Sequence, residues 1–147
     1  MRVLAVDLGK TSGFALQHPD GEKMSRFKDF GPADSVFSNF VEYITPMMSL
    51  IDVVVYEDPR FNRGFSYIPG LIALLTVECQ ARKIPMFPAT VQEIKIRATG
   101  KGNATKDEMR DAAMSAAGME WVQDQEDAID AAWVLEWFLE NAEVTPA

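Results

Sequence analysis

The chain has 147 residues, 48% of them hydrophobic and 24% charged, which is typical of one folded domain and excludes a disordered protein. Its apolar runs are too short for a membrane span of about 20 residues or for a signal peptide, so we expect a cytoplasmic protein without a membrane partner. The net charge of −8 argues against a general nucleic-acid binder, and a single Cys79 and a single His18 exclude an intramolecular disulfide and a His/Cys zinc cage.

The first half of the chain has the pattern of three strands, a helix and a buried strand. We expect strands at residues 2–7, 13–17 and about 22–30, joined by a turn at 8–12 and by a hairpin turn at 19–21. Apolar residues at helical spacing predict a helix over 32–50, which Pro46 kinks or ends. The apolar run within residues 52–56 is typical of a strand that is buried on both faces of a parallel sheet.

The second half alternates helices with one more strand. After a loop at residues 58–65, Pro69 suits the first turn of a helix that continues over 71–82. Residues 84–87 are expected to form a short strand, and residues 124–141 a last helix.

Two further helices lie between that strand and the last helix. Both begin with the capping box T-x-x-E, at residues 90–93 and 105–108, and both can end at a glycine, Gly100 and Gly118. The order β-β-β-α-β-α-β-α-α-α predicts a single α/β domain over residues 1–147. It would contain a mixed five-stranded sheet, with three meandering strands followed by alternating strands and helices, and helices on both faces.

Charge is distributed unevenly along the chain. Residues 1–81 carry a net charge of −3, residues 82–110 carry +4, and residues 111–147 carry −9 without a single cation. In the basic segment, the loop at 99–106 combines two glycines with Lys101 and Lys106, although its spacing does not match the phosphate-binding loop motif. The pattern fits either a solvated surface or a patch that contacts a polyanion beside a carboxylate-rich site.

Four acidic residues are placed where a site can form. Asp7 ends the first strand, Glu57 ends the buried strand, and Asp127 and Asp130 share a face of the last helix. Because side chains converge at strand ends in α/β sheets, we expect these carboxylates to meet and to need cations against their mutual repulsion. Oxygen ligands suit Mg²⁺ or Mn²⁺, and two such ions about 3.5–4 Å apart support phosphodiester cleavage.

Each acid also has a structural interpretation. Asp7 can accept hydrogen bonds from the turn that follows it, and Glu57 can be a loop acid. Asp127 can interact favourably with the positive end of the helix dipole, and Asp124 is a candidate N-cap of the same helix. These interpretations do not account for Asp130, which lies too far into the helix to have much capping value.

Four motifs, in order along nearly the whole chain, resemble those of the RuvC-like Holliday junction resolvases. They are the opening LAVDLGKTSGFA at 4–15, the strand-end glutamate VVYE at 54–57, the basic loop ATGKGNATK at 98–106, and the closing helix EDAIDA at 126–131. The resemblance implies an RNase H-like fold and a structure-selective DNA endonuclease of recombination and repair. Such an enzyme nicks four-way and other branched DNA by attack of an activated water. The acidic charge and the short chain suggest a divergent branch, such as a phage-encoded resolvase that acts in the bacterial cytosol.

The resemblance also implies roles for individual residues and partners. Asp7, Glu57, Asp127 and Asp130 correspond to the acids that bind two Mg²⁺ ions, which Mn²⁺ can replace, and no small-molecule cofactor is expected. Lys106 matches the lysine near the scissile phosphate. The DNA contacts would come from Lys101, Lys106, Arg60, Phe61 and Arg63, with Phe65 and Tyr67 as further aromatic candidates.

A homodimer would supply the two symmetric nicks that a four-way junction requires. Residues 71–75 form a helix segment that is apolar all round, so it must be covered by either a second chain or a second helix of this chain.

Three other functions are weighed against the resolvase. A YqgF-type nuclease of the same fold, acting on RNA, shares the opening motif and the late aspartate helix, but Glu57 and the loop at 99–106 favour the resolvase. A kinase-like or actin-like nucleotide-binding module needs a second lobe, for which 147 residues leave no room. A non-catalytic DNA-binding protein has no evident use for four acids that face a polyanion.

Overall fold

The computed structural model describes residues 1–59 and 66–141. Within them the elements follow the predicted order. The strands are β1 (Val3–Asp7), β2 (Thr11–Gln17), β3 (Lys23–Asp29), β4 (Val53–Asp58) and β5 (Met86–Thr90). The helices are α1 (Val36–Met48), α2 (Ile68–Arg82), α3 (Val91–Thr99), α4 (Lys106–Ser115) and α5 (Glu126–Asn141), with a 3₁₀ turn at Ala33–Ser35 before α1. In these two ranges of the chain, every helix is too short or too polar to cross a bilayer.

The strands form one mixed sheet in the order β3-β2-β1-β4-β5, which confirms the predicted fold class. The first three strands are an antiparallel meander, and β1, β4 and β5 run parallel. The turn between β2 and β3 contains Gly21 at φ 92°, a backbone conformation that glycine adopts without a steric cost. The parallel strands need crossover helices, and α1 and α2 supply them.

Alternate residues of β1 enter two different cores because successive side chains of a strand point to opposite faces. Leu4 and Val6 pack in the core that contains α1 and α2, whereas Val3 and Ala5 pack in the core that contains α3, α4 and α5. Each fully buried side chain of this size contributes about 1.5–3 kcal/mol relative to an exposed one. The sheet is therefore covered by helices on both faces.

Helix α2 is covered partly by another helix of the same chain. It packs against α1, and Leu71, Leu75 and Cys79 are buried. The opposite side of the helix stays open, since Val77 is 62% exposed. Intramolecular packing thus accounts for part of the apolar surface of α2 and leaves the remainder at the surface.

The tryptophans pack in the core rather than lying free at the surface. Trp133 is buried and donates its indole N–H to the carbonyl of Met109 at 3.2 Å. Trp121 and Trp137 are partly buried against the same core.

Several strand boundaries differ from the predictions because the ladders extend beyond the apolar runs. The second strand begins at Thr11 rather than at residue 13, since Thr11 pairs with Asp29. The fourth strand continues through Glu57 and Asp58, which pair with β5, instead of ending at residue 56. This pairing also moves β5 from the predicted 84–87 to Met86–Thr90.

Helix ends show two further corrections. Helix α4 ends at Ser115, so Gly118 does not end it and instead occupies a later turn at φ 85°. Helix α5 begins at Glu126, not at residue 124, and Asp124 is not its cap. The Gln125 side chain accepts the N–H of Ala128 at 2.8 Å, while Asp124 pairs with a residue of α4. The first helix begins at Val36 rather than at residue 32, because a 3₁₀ turn precedes it. Three other predictions are confirmed: both capping boxes form, Gly100 ends α3, and α1 ends two residues after Pro46.

Candidate active site

Asp7 and Glu57 lie side by side at the carboxyl ends of two neighbouring parallel strands. The β1–β4 register pairs Val6 with Tyr56, so the next residue of each strand comes to the same edge of the sheet. After burial, the charge of Glu57 is the largest contribution to the raised pKa of Asp7, so the two carboxyl groups are close neighbours. The predicted meeting of these two acids therefore follows directly from the parallel pairing.

Helix α5 brings the other two acids to the same edge, and Gly13 makes this approach possible. Gly13 pairs with Asp7 across the β1–β2 ladder. A Cβ atom on Gly13 would lie 1.8 Å from the carbonyl oxygen of Asp127, which is far inside a normal contact. Since no side chain fits there, glycine lets the first turn of α5 pack directly on β2.

The electrostatics of the site show that the four carboxyls act on one another. Burial raises the pKa of Asp7 well above its usual range, and the charges of Glu57, Asp130 and Asp127 raise it further. Burial also raises the pKa of Asp130 to about 7, with added contributions from Glu57 and Asp127. One or more of these groups must therefore hold a proton near neutral pH, or the cluster must bind cations.

The chemistry of these donors fits a hard divalent cation. All four predicted ligands are carboxylates, and oxygen ligands are those preferred by Mg²⁺ and Mn²⁺. In the part of the chain that the structure describes, no three acidic, histidine or cysteine side chains lie close enough together to hold a metal ion. The four carboxylates thus match such an ion in donor type and charge, but no three of them are grouped around one position.

The last residue of the basic loop, Lys106, approaches this acidic edge. Lys106 is the first residue of α4, after the Thr105 cap, and its ammonium donates a hydrogen bond to Glu126. That bond is the main reason why the pKa of Lys106 is raised, and the charges of Asp130 and Asp127 contribute to the same shift. The structure therefore brings Lys106 next to the first turn of α5.

Lys101, by contrast, pairs with a carboxylate that lies close to it in the sequence. Its ammonium pairs with Glu108 in the first turn of α4, and its side chain is 53% exposed. A contact with a backbone phosphate, as predicted, would compete with that ion pair.

The predicted DNA contacts Arg60, Phe61 and Arg63, and the further candidate Phe65, lie outside the described residues. Tyr67 lies within them and packs edge-on against Phe37, with ring centroids 5.9 Å apart. This contact holds Tyr67 against α1.

The residues that sequence reasoning missed are Glu126, Gln125 and Gly13. In the sequence Glu126 stands out only as part of the closing-helix motif, and Gln125 lies between two acidic residues with no cap signal of its own. The second glycine of the opening motif, Gly13, could have suggested a close backbone approach, since glycine inside a strand often marks one.

Comparison with known proteins supports the fold. No family model matches the chain, and no curated protein matches it. Among solved structures, that of Thermus thermophilus RuvC is similar, with a TM-score of 0.67 and 17% identity over 97% of each chain. A structure of T. thermophilus RuvC in complex with a Holliday junction substrate is also similar, with a TM-score of 0.67 and 15% identity over 97% of this chain and 96% of that one. The chain therefore has the RNase H-like fold of RuvC over nearly its full length.

Proposed function

We propose that this protein is a divalent-metal-dependent endonuclease that nicks branched DNA, above all four-way junctions. The observation that carries the proposal is the convergence of Asp7, Glu57, Asp127 and Asp130 at one edge of an RNase H-like sheet, where burial and then their mutual charges raise the pKa values of Asp7 and Asp130. The similar RuvC structure that contains a Holliday junction supports the choice of substrate.

The four acids would together hold two Mg²⁺ ions, or Mn²⁺ in their place. When bound, such ions supply an activated water and stabilise the oxygen that leaves the phosphorus. Burial and the charges of the other three acids all raise the pKa of Asp7, and this place among them supports a role for Asp7 in holding both ions.

The basic residues would hold the DNA. Lys106 would contact the phosphate that is cut, and its hydrogen bond to a carboxylate of α5 supports this role. Lys101 would contact the DNA backbone from the loop before α4. Arg60, Phe61 and Arg63 follow β4 directly along the chain, so we also assign them to the junction, with the aromatic ring stacking on unpaired bases.

A homodimer is part of this proposal, because one site in each chain must cut two symmetric strands. Its apolar contact would include Phe37 and Val77, which are 44% and 62% exposed on the side of α1 and α2. Such a nuclease would act in the cytosol of a bacterium, encoded by the cell or by a phage.

The proposal is tested by cleavage of a labelled four-way junction. The same assay includes linear duplex and an RNA hairpin, each with Mg²⁺ and with EDTA. We expect metal-dependent nicking of the junction at least tenfold faster than of the duplex. The matched control is Glu42→Gln, which removes an exposed carboxylate on α1, far along the chain from the site. Cleavage of the RNA hairpin but not of the junction would instead favour the YqgF-type activity.

A further inference from the structure

Three cations in the segment 101–110 are each paired with a carboxylate in the free protein. The pairs are Lys101 with Glu108, Lys106 with Glu126, and Arg110 with Asp124. They lie at the surface, since the Lys106 and Glu126 side chains are 79% and 52% exposed. A phosphate that approaches this strip therefore meets cations whose charge is already compensated.

The pair of Lys106 with Glu126 differs from the other two by its position. Glu126 immediately precedes Asp127, and its negative charge acts on Asp130. It has no role as the helix cap, because the Gln125 side chain accepts the N–H of Ala128. By comparison, Glu108 also belongs to the capping box of α4, and the pair of Arg110 with Asp124 is a two-pronged contact at 2.8 and 2.7 Å. The carboxylate of Glu126 thus remains available for Lys106.

We infer that Glu126 is a positioning residue that holds Lys106 beside the acidic edge in the free protein and yields it to a substrate phosphate. This inference rests on the proposed function of the site. The phosphate and the Glu126 carboxylate are both anions, and both bind the same ammonium. When DNA binds, Lys106 exchanges one anion for the other, and Glu126 is left facing the DNA unpaired. Glu126 therefore weakens the binding of DNA and keeps Lys106 from contacts with other anions.

The test measures binding of a fluorescent four-way junction by anisotropy in EDTA, so that no strand is cut. Glu126→Gln should lower the Kd about two- to fivefold, the range expected for loss of one exposed competing ion pair. It should also steepen the dependence of log Kd on log salt by up to roughly one unit. The reason is that Lys106 can then neutralise a DNA phosphate without first breaking its ion pair with residue 126. Both effects should be smaller in a Lys106→Met background, where only the repulsion between Glu126 and the DNA remains.

Asp124→Asn is the matched control, because it removes the same charge two residues away and frees Arg110 instead. Its effect on the Kd should persist in the Lys106→Met background. The ion pair of Lys106 with Glu126 is tested without DNA by measuring the rate of acetylation of Lys106 by mass spectrometry. Glu126→Gln should speed that reaction, because Lys106 loses the partner that stabilises its charged form.

Several results would overturn the inference. An equal effect of Glu126→Gln with and without Lys106 would show a general charge effect. Loss of Mg²⁺-dependent cleavage with an unchanged Kd would make Glu126 a fifth acid of the metal site. If Lys106 is acetylated at the same rate in both proteins, there is no pair in solution. A wild-type protein that binds no branched DNA, but whose acetylation shows the pair, would contradict the proposed function and the exchange with phosphate while leaving the pair intact.

Discussion

Asp130→Asn should stabilise the metal-free protein, and the gain should grow as the pH rises. The folded pKa of Asp130 is about 7, against an ordinary value of 3.8. A group whose pKa is raised by folding contributes its full stability below its unfolded pKa and loses it as the pH rises through the folded pKa. The wild-type protein should therefore lose stability between about pH 4 and pH 7.

The size of the effect follows from that shift. A shift of about three units corresponds to about 4 kcal/mol at most. The group is partly accessible and its shift is shared with Glu57 and Asp127, so we expect a net gain of about 1–3 kcal/mol at pH 8. In a protein of this size, that gain raises the Tm by about 3–10 °C.

Thermal unfolding followed by circular dichroism, in EDTA at pH 5 and pH 8, measures this difference. The control is Asp111→Asn, which removes an exposed carboxylate from α4. Added Mg²⁺ should then stabilise the wild-type protein more than the variant, because the cations replace the missing proton. An equal difference in Tm at pH 5 and pH 8 would refute the reasoning, and so would a wild-type Tm that does not fall over this range.

Three further changes test other parts of the structure. Asp7→Asn should abolish junction nicking while the Kd for the junction stays equal or falls, as a gel-shift assay would show; nicking at the normal rate would exclude Asp7 from the site. Gly13→Ala should cost about 1–3 kcal/mol by displacing α5 and should slow nicking at least tenfold, whereas normal stability in urea unfolding would contradict the close approach. Lys101→Ala should weaken DNA binding and lower the salt slope by roughly one, while Lys106→Ala should reduce the rate at saturating DNA more than the affinity, and single-turnover kinetics separate these two outcomes.

The order of the elements could be predicted from the sequence because each element depends on local patterns, and that order in turn implied a mixed five-stranded sheet. Apolar periodicity, the turn at 19–21 and the two capping boxes each act within a few residues, and the structure confirms the elements that they predict. Boundaries were less accurate where a partner strand decides them. Glu57 and Asp58 extend β4 only because β5 pairs with them, and no apolar pattern marks such polar residues as strand.

The same distinction applies to the site. The acids were recognisable by their positions at the ends of predicted elements and in the resemblance. What could not be predicted depends on distances between elements that are far apart in sequence. Asp124 has the residue type of a helix cap, but its contact with Arg110 of α4 removes it from that role. The pair of Lys106 with Glu126, 20 residues apart, is likewise a product of how α4 and α5 pack.

The packing of α5 determines when the protein can finish folding. This helix is the last element of the described chain, yet it lies against β1, β2, β3 and β4 near the start. During synthesis, one face of the sheet therefore stays partly uncovered until the final helix has been made. Asp7 and Glu57 emerge early, whereas Asp127 and Asp130 arrive only with α5. A chain that stops short of that helix holds only Asp7 and Glu57 of the four acids of the site, so the fold and the site are completed in the same step.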